Sequence, residues 1–387
     1  MNRRGYGKQF GPALLFAVLA LFCVCGSIAA QTIRDLPPPP PAPTPKPTPV
    51  PQPKDDDFDV IRVSSNLVMV PVSVVDAKGE PIRGLQVTDF HLVEEGREQQ
   101  LTDIGNPDEV PLDIAILFDV SSSVSQKGFF AFQQQAAASF LKQVLKPVDR
   151  AAVFTISDEA RLVSPLAPAN VAAAKIVAVP AATTPVPTAF YDAVIAAAKY
   201  LMQNSAERHR RVIAVISDGD DNFSSVVKDL TVAEYRASQK GQVTTNAAYQ
   251  NLLDRRRLAV VEVQRAVQQA DIAFYSINPG GTSVKLNQIS TRAQNDMESI
   301  ATSTGGTAFL PDGEKDLERV FSVVAAELRG QYLLQYYSNN QTGATQFRRI
   351  AVTVPVRPEL RIRARQGYYP KSKDDGGRIK DETRKSP

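Results

Sequence analysis

Asp119, Ser121 and Ser123 follow directly on the apolar run Leu112-Asp113-Ile114-Ala115-Ile116-Leu117-Phe118. One carboxylate and two hydroxyls at alternate positions present oxygen donors only, which is what a hard divalent cation takes. The apolar run reads as a buried strand, so these groups fall where strand gives way to loop. In an α/β sheet, ligands collect in the crevice outside the carboxyl ends of the strands. The chemistry expected is therefore binding of a cation, and binding through it.

The elements around this motif alternate. Leu112–Val120 predicts a strand, and Phe129–Leu145 a helix that Pro147 closes. Strands follow at 151–156, 211–216, 271–277 and 307–310. Helices are predicted at 189–201, over Glu298–Thr304 as the end of a helix that stops at Gly305-Gly306, and at 316–328, where Leu317, Val320, Phe321, Val324 and Leu328 recur at helical spacing. Largely apolar strands, read as buried on both faces and separated by helices, imply a three-layer, doubly wound, mostly parallel sheet covered on both sides.

The flanks read as β. Four strands are expected in 58–106, among them Leu67–Val75, a stretch of 89–96 that enters a turn, and Gln99–Ile104. Three more are expected at 332–337, 350–355 and 360–365. The last alternates with period two and sets Arg361, Arg363 and Arg365 on one face, read as solvated. Three strands cannot stand alone with an apolar face exposed. The two sets therefore predict one discontinuous β-sandwich-like domain, in two parts at 58–108 and 331–370, with an α/β domain at 109–330 inserted into it.

Asp119-Val-Ser121-Ser-Ser123 after a hydrophobic strand resembles the first motif of the metal-ion-dependent adhesion site of von Willebrand factor type A domains. Thr188-Ala-Phe190-Tyr191-Asp192-Ala193 is similar to the family's second motif, a threonine before a helix. Ile216-Ser217-Asp218-Gly219-Asp220 is similar to its third, an aspartate after a later strand. The resemblance implies a metal site of Asp119, Ser121, Ser123, Thr188 and Asp218. It implies serines and threonine on the metal, aspartates acting often through water, and an acidic group of a protein partner completing the sphere. Mg²⁺ is the expected ion, with Mn²⁺ or Ca²⁺ able to replace it. The donor chemistry agrees, because two carboxylates balance a divalent charge and three alcohols add neutral oxygen.

Two departures stand out. Where the family commonly has glycines before the threonine, this chain has Pro185 and Pro187, which stiffen the loop. The segment Phe223–Arg265, with helical character over 252–267, is longer than a usual crossover and reads as an added surface or a tolerated insertion. The flanks Val72–Leu85, Asp89–Gly96, Leu328–Tyr337 and Arg365–Tyr369 resemble secreted bacterial VWFA-related proteins of the acidobacterial type.

Arg3, Arg4 and Lys8, the apolar stretch from Pro12 to Cys25, and small residues up to Ala30 read as a secretory signal over 1–30. A retained anchor, or lipidation at Cys23 or Cys25, are the rival readings. Both cysteines of the chain lie there, so the mature protein is expected without disulfides or thiolate chemistry. The same three basic residues equal the formal net charge of +3. A near-neutral mature chain without tryptophan gives no electrostatic case for nucleic acid. Residues 31–57 read as a proline-rich tether, with Asp55-Asp56-Asp57 a solvated junction, and 371–387 as a disordered charged tail. No integral membrane segment is expected in the mature chain, which is placed in the periplasm, the outer envelope or outside the cell.

Catalysis finds little support. His91 and His209 are read as surface or junction residues, and no Gly-x-Ser-x-Gly elbow or phosphate loop occurs. The expected function is a secreted or envelope adhesion-type module, not an enzyme. It would engage a protein carboxylate through Mg²⁺. A metal-independent envelope scaffold and a Mg²⁺-dependent hydrolase are the alternatives.

Overall fold

Strand β5 (Leu112–Asp119) is buried along its whole length, because alternate side chains enter two different cores. Ile114, Ile116 and Phe118 join one hydrophobic cluster, and Ala115 and Leu117 the other. The computed structural model describes residues 67–121, 124, 130–184, 186–227, 236–237, 240, 245–281, 288–340 and 346–370. All of these lie in one compact unit, Val63–Pro387. The expected signal, tether and tail fall outside the described residues, as does Ser123.

β5 is central in a six-stranded sheet of order β10-β9-β8-β5-β6-β7. Its other members are β6 (Arg150–Ile156), β7 (Ala160–Ala167), β8 (Arg210–Ile216), β9 (Ile272–Ile277) and β10 (Ala308–Phe309). Every pairing is parallel except that of β7 with β6. Helices α1 (Phe130–Val144), α2 (Ala169–Val177) and α6 (Glu314–Gly330) supply one core, where the Phe140 and Phe321 rings lie 5.2 Å apart. Helices α3 (Phe190–Asn204), α4 (Thr245–Gln269) and α5 (Gln288–Thr304) supply the other. The expected three-layer α/β architecture is present.

β7 and α2 carry no clear sequence signal. β7 holds Pro165, which a sheet accepts only at an edge, and its pairing with β6 slips register twice. α2 is short and buries only Ala172, Ala173 and Ile176.

The flanking strands build two four-stranded antiparallel sheets, β13-β1-β11-β4 and β14-β12-β2-β3. They comprise β1 (Leu67–Val75), β2 (His91–Glu94), β3 (Arg97–Gln99) and β4 (Leu101–Gly105) from before the α/β region. From after it come β11 (Tyr332–Tyr337), β12 (Arg348–Thr353), β13 (Arg361–Ala364) and β14 (Gly367–Tyr368). Each sheet thus joins both ends, as β1 does with β11 and β2 with β12. The strand expected at 99–104 is two strands: the chain leaves one sheet after Gln99 and enters the other at Leu101.

Val68, Val70, Val72 and Val74 of β1 meet Leu92, Ile350 and Tyr368 of the facing sheet in a third core. Across it, the buried carboxylate of Glu94 accepts from Tyr336 Oη at 2.7 Å, Ser338 Oγ at 2.8 Å and Tyr368 Oη at 3.0 Å. These three donors, with the buried Arg348 guanidinium 3.5 Å from Oε1, satisfy a charge that would otherwise be costly to bury.

Arg361 and Arg363 of β13, with Arg365 just beyond it, do not form the solvated face expected of them. Arg361 alone is exposed. Arg363 donates to Glu327 Oε2 at 2.6 Å, and Glu327, whose side chain is 2% exposed, also accepts from Tyr275 Oη at 3.1 Å. Arg365 pairs with Asp271, donates to the Met69 carbonyl at 2.9 Å and lies 5.1 Å over the Tyr368 ring. Period-two alternation assumes water on the outer face, but here α6 and β9 stand against it. Gly305 completes the contact: its φ is +80°, and a Cβ would lie 2.7 Å from the Ala364 carbonyl carbon.

Arg363→Ala leaves Glu327 buried with only a tyrosine hydroxyl. It is expected to cost on the order of 2–3 kcal/mol in denaturant unfolding. Arg361→Ala, two residues away, is expected to cost less than about 0.5 kcal/mol. Equal losses for the two would show that the Arg363–Glu327 contact does not hold the sandwich to the α/β layers.

Candidate functional site

Asp119 closes β5, Ser157 follows β6 and Ser217 follows β8, so three neighbouring strands end at one edge. Backbone bonds carry that edge into its loops: Val120 N–H to the Ile156 carbonyl at 3.1 Å, Ala189 N–H to that of Ser157 at 2.7 Å, and Ser217 N–H to that of Ile277 at 3.1 Å. Asp119, Ser121, Thr188 and Asp218 all lie there. The first three are buried, and Asp218 is partly exposed.

Asp119 is fully shielded from water. Its Oδ1 accepts the Ser121 N–H at 2.8 Å, and its Oδ2 accepts the Ser217 hydroxyl at 2.5 Å. Ser217 Oγ accepts in turn from the Gly219 N–H at 2.9 Å. That bond needs the tight turn at Gly219, whose φ is +72° and where a Cβ would meet the buried Met297 at 2.8 Å. Ser217 thus orients Asp119, a role nothing in the local sequence marks.

Burial pushes the Asp119 carboxyl up to about 6, and the nearby charge of Asp218 adds to the shift. Hydrogen bonds from Ser121 and Ser217 oppose it without cancelling it. Asp119 is thus a buried carboxylate with a second carboxylate, Asp218, within electrostatic reach. The donors are oxygen only. Among the described residues no group of three or more His, Cys, Asp or Glu suits a metal ion. The donor set fits a hard divalent ion and not a soft one.

Thr188 is held by its backbone. Its N–H donates to Asn222 Oδ1 at 3.0 Å, and its carbonyl accepts from the N–H groups of Asn222 at 3.1 Å and Phe223 at 3.0 Å. Helix α3 starts just beyond, and its N-cap, Ala189, has no capping side chain. The open N–H groups are met from the other loop instead: Tyr191 N–H donates to Asp221 Oδ2 at 2.9 Å and Asp192 N–H to Ser224 Oγ at 3.1 Å. Asp221 Oδ1 also accepts from the N–H groups of Phe223 at 3.2 Å and Ser224 at 3.0 Å. The Thr188 and Asp218 loops are thus one hydrogen-bonded body.

Sequence reasoning missed Ser217, Asp221, Asn222 and Ser224. Their one signal is density of short polar side chains after a strand, which an ordinary loop shares. Both histidines lie elsewhere. His209 Nδ1 is 3.0 Å from the buried Asp113, which Arg150 also grips at 3.0 and 2.8 Å, at the opposite end of the sheet. His91 is half-exposed in the sandwich, 3.3 Å from Glu98.

The family model for the von Willebrand factor type A domain matches residues 113–322, more than half of the sequence, and the chain belongs to that family. Solved structures similar to it include a von Willebrand factor type A protein from Catenulispora acidiphila, at 11% identity and TM-score 0.41, over 69% of this chain and 51% of that one. This chain thus spans about half the length of that protein. Proximal thread matrix protein 1 from the mussel byssus, in a structure described as having a zinc-occupied MIDAS motif, is 14% identical with TM-score 0.38, over 60% of this chain and 48% of its own. The PilB minor pilin of Streptococcus sanguinis is 11% identical with TM-score 0.39, over 57% of this chain and 62% of its own. No curated protein sequence matches.

The raised Asp119 carboxyl has a signed consequence for the cation-free protein. The folded state holds a proton that the unfolded state releases near the ordinary value of 3.8, so this stabilisation is complete below 3.8 and lost as pH rises through about 6. At pH 7 the ionised Asp119 costs on the order of 3 kcal/mol. Asp119→Asn is expected to melt above the wild type at pH 7 in chelator, with the gap closing as pH falls to 4. A wild type that is the more stable at pH 7 would show that the charge is compensated within the protein.

Proposed function

We propose that this chain is an adhesion-type protein-binding module that acts outside the cytoplasm. Asp119, Ser121, Ser123, Thr188 and Asp218 would hold a divalent cation, Mg²⁺ by preference, with Mn²⁺ or Ca²⁺ as substitutes. The observation that carries this reading is the fully buried Asp119 carboxylate, fixed by the Ser121 amide and the Ser217 hydroxyl at a sheet edge where the nearby Asp218 raises its carboxyl further. A bound divalent ion would neutralise the pair and leave a coordination position for an outside oxygen. A carboxylate on a protein partner suits that position in charge and in hardness. The basic start and apolar run of residues 3–25 support export. Among the described residues no helix is long and apolar enough to cross a membrane.

Within the module the protein's own groups orient and shield. Ser217 and the Ser121 amide fix the Asp119 carboxylate, and the Asp221–Ser224 turn fixes Thr188 relative to Asp218. The reading is non-enzymatic: both histidines make their contacts away from this edge, and general acid–base work needs a group within reach of the reacting atoms.

Calorimetric titration of Mg²⁺ into the cation-free full chain is the test. The wild type is expected to take up one ion, and Asp119→Ala to bind at least about a hundredfold more weakly. Equal uptake by both would overturn the site. Partner capture that is the same in chelator and in Mg²⁺ would favour a metal-independent scaffold. Mg²⁺-dependent phosphoester or peptide turnover that disappears in Asp119→Ala would favour a hydrolase.

A further inference from the structure

The long segment between β8 and β9 has an assignable role. Within it, α4 packs Ala259, Val260, Val263 and Val267 into the core beneath the sheet. Arg256 is one turn before Val260 on the same helical face, so the packing of the helix sets where its guanidinium lies. Its Nη2 donates to the carbonyl of Asp221 at 2.8 Å and lies 3.7 Å from Asp220 Oδ1. The side chain is only 13% exposed. Its charge also acts on Tyr191 and Asp296, which hydrogen-bond each other at 2.9 Å.

Asp221 is the residue through which the Asp218 loop reaches Thr188's helix. Its carboxylate is spent on the Tyr191, Phe223 and Ser224 amides and the Ser224 hydroxyl. Arg256 holds the same residue by its carbonyl and balances the charge of Asp220, whose carboxyl burial pushes up. A largely buried guanidinium that donates to one carbonyl of the loop and ion-pairs with the carboxylate beside it restrains that loop from the helix.

We propose that Arg256 is a positioning residue of the cation site, supplied by the inserted segment to fix the loop that carries Asp218. The idea rests on the cation site proposed above. It predicts a sign opposite to that of simple electrostatics. A cationic side chain near a bound cation repels it, so removing the charge alone would tighten binding. Removing a clamp loosens it.

The experiment compares wild type, Arg256→Gln, Arg256→Lys and Asp119→Ala as full chains, with two readouts. In Mg²⁺ calorimetry, Arg256→Gln is expected to weaken binding about tenfold or more, and Arg256→Lys, which can still donate to the Asp221 carbonyl, to recover part of the loss. In amide hydrogen exchange of the cation-free proteins, Arg256→Gln is expected to speed exchange at Asn222, Phe223 and Ser224 while β5 stays protected. Arg256→Gln binding as tightly as wild type or more tightly, with Asp119→Ala still defective, would overturn the positioning role and leave the cation site standing. Unchanged exchange at 222–224 would overturn it equally. A wild type that takes up no Mg²⁺ would remove the cation site, and with it any role for Arg256 there, whatever the exchange shows.

Discussion

Asp119 lies at the end of β5, a strand buried along its whole length, with its carboxylate shut off from water and a second carboxylate, Asp218, within electrostatic reach. A buried charge next to a like charge is unfavourable unless something opposes it. The surrounding structure meets this in part, through the Ser121 amide and the Ser217 hydroxyl. These contacts hold Asp119 in place while burial and Asp218 still raise its carboxyl, and that tension gives the edge of the sheet its chemistry.

The loops at that edge satisfy one another. Helix α3 lacks a capping side chain of its own, and the donors left open at its start are met by Asp221 and Ser224 from the loop after β8. Thr188 and the Asp218 loop therefore form as one body on a rigid sheet edge. Arg256 reaches the same loop from α4, so the inserted segment is tied to the site as well as to the core.

The β sandwich is bound to the α/β layers by polar contacts at fixed positions as well as by apolar packing. Arg363 meets Glu327 near the end of α6, Arg365 meets Asp271 at the start of β9, and the Gln366 amide donates to the Ser303 carbonyl at 3.1 Å. Gln331 is the single residue between α6 and β11, and its amide reaches Ser73 of β1 at 3.4 Å. The last helix of one fold thus passes into the first returning strand of the other with no loop between them.

The sequence alone determined the layer order, because burial on both faces of a strand requires an unbroken apolar run, as at Ile114–Phe118 and Val212–Ile216. It also placed Asp119, Ser121, Thr188 and Asp218 at strand or helix ends, where a change from apolar to short polar residues is a local signal. It could not find β7, whose edge position tolerates Pro165, nor tell that Arg363 and Arg365 face protein instead of water. Nor could it show that Ser217 serves Asp119 from 98 residues away, or that Asp221 caps a helix 30 residues before it. Local periodicity records whether a side chain is buried. Only the tertiary structure decides which distant group it is buried against, and in this protein those long-range choices orient Asp119, hold Thr188 and fasten the two folds together.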